Sequence, residues 1–171
     1  MSYDLMVFNP AVAPPDRLAF KAWYEKVVDW PDDNSVFDPA TSSADLRAWY
    51  EAMLRNWPNM QEIEDDQIDD PKVTGYSFSP HAIYIDFRWT VAEEAYVATR
   101  SLAIEHGVGF YDVSGDEGDG EIYFPGDAPR PASDGGWRQI AADFRSGDLS
   151  KYALPPEPIK RRWFDIFRRT K

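Results

Sequence analysis

Two periods of apolar and polar positions run through this chain. YDLMVF (Tyr3 to Phe8) is a short apolar run closed by Asn9-Pro10, and predicts a strand buried on both faces. Pro14-Pro15-Asp16 opens a helix whose apolar positions Phe20, Trp23, Tyr24, Val27 and Trp30 follow three-and-four spacing. A polar loop follows, and Ser42 with Asp45 three residues on resembles a capping box for a second helix. That helix carries the stripe Leu46, Trp49, Tyr50, Met53, Leu54 and Trp57, and Pro58 stops it. QEIEDDQIDDP (Gln61 to Pro71) has no useful period and six acids, which predicts an exposed loop.

Beyond that loop, Lys72 to Phe78 predicts a strand closed by Ser79-Pro80. Ile83, Ile85, Phe87 and Trp89 alternate with Tyr84, Asp86 and Arg88, the clearest strand in the sequence. Thr90 to Glu93 reads as a capping box for a helix that turns Ala92, Ala95, Tyr96, Thr99, Leu102 and Ala103 inward and stops at Gly107. VGFYDV (Val108 to Val113) and EIYF (Glu121 to Phe124) predict strands joined by the turn SGDEGDG. A last helix surrounds Trp137, Ile140, Ala141 and Phe144 and ends at Gly147. The order implies an α+β domain with a ferredoxin-like mixed or antiparallel sheet, helices mainly on one face, and a basic C-terminal helical tail. Residues 1–154 form one acidic domain, and 155–171 a proline-rich spacer and the tail. By alternation, Tyr84, Asp86, Arg88, Tyr111 and Tyr123 are expected on the other, partly open sheet face.

The phrase AWYE occurs twice, at residues 22–25 and 48–51, each followed by a second tryptophan joined to proline, Trp30-Pro31 and Trp57-Pro58. Both copies set Trp and Tyr on an apolar stripe, with the next Trp about two helical turns on. The second spacing is one residue longer, which keeps the face but breaks strict repetition. The reading is one core solution used twice, with the two helices as a hairpin against one sheet face.

Charge narrows the partner. The chain carries −12, but KRRWFDIFRRTK at its C-terminus is net +5, which leaves −17 on the remaining body. Such a body repels nucleic acid and anionic lipid and suits a basic protein, although solubility alone accounts for most of those charges. In the tail, Ile159, Trp163, Ile166 and Phe167 share one helical face. The segment suits an anionic membrane, a partner's groove or the chain's own acidic body. With no cysteine, disulfides and thiolate chemistry are excluded. The N-terminus has no secretory pattern and no stretch is apolar enough to span a membrane, so a cytoplasmic location is expected.

Chemistry-bearing motifs are sparse. HGVGFYDV (His106 to Val113) superficially matches an RNA-stacking strand but lacks its basic residues. His81 and His106 are not spaced as metal ligands, and pairing His106 with Asp112 for catalysis has less to recommend it than a helix-terminal histidine. Asp116, Glu117 and Asp119 lack the alternating ligands of a calcium loop. No nucleophile elbow, phosphate loop or dinucleotide fingerprint is present, so neither catalysis nor a cofactor or metal is expected. The candidate partner-binding residues are the loop acids Glu62, Glu64, Asp65, Asp66, Asp69, Asp70, Asp116, Glu117 and Asp119.

YDLMVF, LRAWYEAMLRNWP, IDFRWTVAEEAY and LAIEHGVGFYDVSG together are similar to a family of small bacterial proteins, over roughly residues 3–125. In size and acidity that family resembles the cytoplasmic immunity proteins of interbacterial toxin systems. The resemblance implies a binding protein that occludes the active site of a cognate basic toxin domain. It supplies no catalytic motif. The alternatives are a small enzyme with its site on the open sheet face, and an adaptor that uses the tail on a membrane or secretion component.

Overall fold

Both faces of the Tyr3–Phe8 strand are apolar, and the fold covers both. The computed structural model of the chain describes residues 2–30, 34–115, 120–127 and 137–147. Within them, chain order is β1 (Tyr3–Phe8), α1 (Arg17–Val27), α2 (Ala44–Met53), β2 (Gly75–Phe78), β3 (Ala82–Phe87), α3 (Ala92–His106), β4 (Gly109–Asp112), β5 (Ile122–Tyr123) and α4 (Trp137–Ser146). The class is α+β, with one antiparallel sheet in the order β2-β3-β1-β4-β5. The basic tail and the acids Asp116, Glu117 and Asp119 lie outside the described residues.

Alternation along β1 sorts the core into two clusters. Tyr3, Leu5 and Val7 point with Ile83, Ile85, Phe87 and Phe110 toward α2 and α3, where Leu46, Trp49, Met53, Ala95 and Tyr96 meet them. Met6 and Phe8 point the other way with Tyr111 and Ile122, toward Phe20, Trp23, Tyr24 and Val27 of α1. Complete burial of side chains this size contributes about 1.5–3 kcal/mol each, so a strand apolar on both sides needs a layer on each. The expected α1–α2 hairpin on one face is therefore corrected: α1 lies on one face, α2 and α3 on the other. Two of the residues expected on the partly open second face are corrected with it: α1 covers Tyr111, and Tyr123 belongs to the opposite face beside Phe110, while Tyr84 and Asp86 stay half-buried and Arg88 exposed.

Several element ends differ from the sequence reading. Asp16 caps α1, its carboxylate accepting from the Ala19 amide at 2.9 Å. The Ser42–Asp45 box does not form: Ser43 is the residue before α2, and Ser42 instead donates to the Ser79 carbonyl at 2.9 Å. Nor does Thr90 cap α3, because Trp89–Val91 forms a 3-10 turn that leads straight into Ala92. The alternation of β3 thus ends at Phe87. α2 stops at Met53, before Pro58, yet the Trp57 amide still donates to the Met53 carbonyl and its ring stays 3% exposed. Gly107, at φ 66°, gives α3 its left-handed stop as expected.

Candidate functional site

The acidic segment between α2 and β2 is a loop with fixed ends. Asn59 bridges to Thr74, the Met60 amide donates to the Thr74 carbonyl at 2.9 Å, and the Thr74 amide donates to the Pro58 carbonyl at 3.0 Å. Inside, the backbone closes on itself in short turns: Gln67 N–H to Glu64, Asp70 N–H to Gln67 and Val73 N–H to Asp70. Loops of this length, closed at the base and bonded internally, hold their shape as compact surface units. Two side chains from the body add anchors. The Arg88 guanidinium donates to the Ile68 and Asp69 carbonyls, and Asn59 donates to the Tyr50 hydroxyl at 2.8 Å, which donates to Glu62 at 3.0 Å. Burial, with the Glu62 carboxylate beside it, pushes the Tyr50 hydroxyl well above its ordinary value, so it remains a donor.

This scaffold turns the acids outward. Glu62, Glu64, Asp66, Asp69 and Asp70 are all exposed, and of Asp65 only the backbone is described, opening the 3-10 turn Asp65–Gln67. Asp70 caps the Lys72 amide at 2.8 Å, and Glu64 caps the turn after it. Lys72, which closes the segment, pairs with Glu94 at 2.8 Å and lies over the Trp57 ring at 5.2 Å. Among the described residues no salt bridge engages Asp66 or Asp69. The result is a row of carboxylates on a fixed backbone, suited to cations arriving from outside.

Topology relates this segment to the second acidic stretch. The first leads into the start of β2; the second, residues 116–119, joins the end of β4 to β5. β2 runs with β1 and β4 runs against it, so the start of β2 and the end of β4 both lie at the end of the sheet where β1 begins. Ser114 marks that end, exchanging hydrogen bonds with the Asp4 backbone at 2.8 and 3.1 Å. The two connections attach at opposite edges, three to four strand spacings or about 14–19 Å apart. Gly115 and Gly120 close the base of the second loop so tightly that a Cβ on Gly115 would lie 2.3 Å from the Gly120 Cα.

Other polar groups went unseen in the sequence. At the edge formed by α3, β4 and β5, Arg100 grips Glu121 with three hydrogen bonds of 3.0–3.2 Å, and Tyr96 donates to the same carboxylate. Those bonds raise the arginine further above its ordinary value. Asp112, fully buried, accepts from the Tyr3 hydroxyl at 3.4 Å. It stands on β4, whereas His106 ends α3. The first AWYE copy behaves unlike the second: Trp23 and Trp30 line a cavity of about 540 Å³ with Val27, Phe78, Pro80 and His81. No set of three or more histidines and carboxylates suited to a metal occurs among the described residues, and no helix there is long and apolar enough to cross a membrane. Neither a scan against protein-family models nor searches of curated proteins and solved structures finds a match for this chain.

Proposed function

We propose that this protein is an immunity-type binding protein that neutralises a basic toxin enzyme by covering its substrate cleft. The observation that carries the reading is the fixed loop Asn59–Thr74, which presents Glu62, Glu64, Asp66, Asp69 and Asp70 to solvent on a backbone pinned by Arg88, Tyr50 and Thr74. Charges already held in place lose little freedom on binding, and acidic rows speed encounter with a cationic cleft. The toxin as the class of partner comes from the sequence resemblance; the exposed acids support its basic character.

The fold is read in the same terms. Strands β1 to β4 in the order β2-β3-β1-β4, with α2 and α3 on one face, support a ferredoxin-like unit. To it α1 adds cover on the second face and β5 adds an edge.

Co-expression tests the function. The protein should rescue cells from the toxin encoded by the adjacent gene, and the two should copurify. Growth arrest despite soluble protein, or turnover of a substrate by the purified protein alone, would sink the proposal.

A further inference from the structure

Asp86 occupies the middle of three paired strands, with Gly75 of β2 on one side and Asp4 of β1 on the other. A Cβ on Gly75 would lie 2.1 Å from the Asp86 carboxylate, so the glycine is the space in which that carboxylate rests. On the far side, the Asp4 backbone is tied through its amide and carbonyl to Ser114 of the segment after β4, and its carboxylate is held by hydrogen bonds from Ser2 and Tyr84. Its Oδ1 is closed off from solvent and has no hydrogen-bond partner. Two carboxyls thus face each other across the central strand pair, where like charges are destabilising.

The surrounding groups do not neutralise them. From β3, Tyr84 hydrogen-bonds Asp4, as does Ser2 ahead of β1; from α1, Tyr24 bonds Tyr84. β2 contributes Gly75 and, from the opposite face, the neutral Tyr76. Arg88, two residues beyond Asp86, is committed to the Ile68 and Asp69 carbonyls, and Lys21 of α1 lies over the Tyr111 ring. No salt bridge among the described residues reaches either carboxyl.

We propose that Asp4 and Asp86 form a proton-operated latch across β1 and β3: with one carboxyl protonated the strand pair is locked, and release of that proton to solvent sets two carboxylates against each other and loosens the sheet. Burial first, and the Asp4 charge second, push Asp86 up to about 6. The sign follows. Between the ordinary carboxylate value and about 6, the folded chain holds a proton that the unfolded chain has released, so stability falls as pH rises through that window.

The test compares melting temperatures of the full-length protein and Asp86→Asn across a series from about pH 4.5 to about pH 7.5. The variant, which never acquires the second charge, should come nearest to the wild type at the acid end. It should gain on it by several degrees as pH rises, with the gap levelling off above about pH 7. A gap that does not change with pH overturns the latch. The carboxyl carbon resonance of Asp86 gives a second readout that does not depend on a variant folding: it should titrate near 6, and at lower pH in Asp4→Asn. Titration in the ordinary aspartate range, or a midpoint indifferent to Asp4→Asn, overturns the proposal equally.

Discussion

Trp49 and Trp23 hold the same place in the two copies of AWYE, yet their surroundings set them apart. Trp49 is fully buried between α2, α3 and the sheet, and its indole donates to the Thr99 carbonyl at 3.3 Å. Trp23 is half-buried, edge-on to Phe8 and tilted against Phe20, and borders the 540 Å³ cavity. Trp49→Ala should cost about 3–5 kcal/mol, the range for a large buried aromatic, and Trp23→Ala clearly less. Denaturant unfolding of the two variants checks the order, and equal losses would refute it. Arg100 offers a second test. Its partner Glu121 is only 5% exposed, so Arg100→Ala leaves a carboxylate in a dry site and should cost about 3–5 kcal/mol. Asp86 and Glu121 show why such sites were illegible: each is an ordinary polar letter in a strand pattern, and only register or a distant helix gives it a neighbour.

At the scale of elements, periodicity carried far. The strands Tyr3–Phe8 and Ala82–Phe87 and the helix Ala92–His106 lie where apolar spacing puts them, because burial on a pleat or a helical stripe dictates that spacing. Ends were harder to read. The hydroxyl of Ser42 had a better acceptor in Ser79, thirty-seven residues away, and the run through Trp89 bent into a turn. Which face each helix covers was also hidden, although a β1 apolar on both faces already demanded two layers. Within the sheet, β4 passes close beside β1, since a Cβ on Gly109 would fall 2.2 Å from the ring of its cross-strand partner Phe8. Gly109→Ala should therefore destabilise by about 1–3 kcal/mol through overpacking. Restoration of the loss by trimming the ring, in Gly109→Ala with Phe8→Leu, would locate the strain; a neutral Gly109→Ala would show that no strain exists.

Over the whole molecule, charge is arranged as well as abundant. A body of −17 repels itself everywhere, but on one pinned loop the acids are held outward together, and the connection bearing Asp116 to Asp119 begins at the same end of the sheet. The sequence made the acidic loop plain because acids without period have no reason to be buried. It could not reveal the pinning by Arg88 and Tyr50, which arrive from other elements. Among the described residues, two core clusters already join all five strands to α1, α2, α3 and α4, so deletion of residues 158–171 should leave a single cooperative unfolding transition. Loss of that transition in calorimetry would show the tail to be part of the folded unit.

The association rate with the adjacent gene's toxin, measured against salt, tests the central claim most directly. It should be compared for the wild type and for a variant with Asp65, Asp66, Asp69 and Asp70 changed to asparagine. Asparagine keeps the oxygen that caps Lys72, so the loop stays closed while four charges go. Steering by fixed acids predicts a wild-type rate that falls steeply with ionic strength, a variant slower by about tenfold at low salt, and convergence of the two at high salt. Wild type and variant associating equally fast at every salt concentration would contradict it.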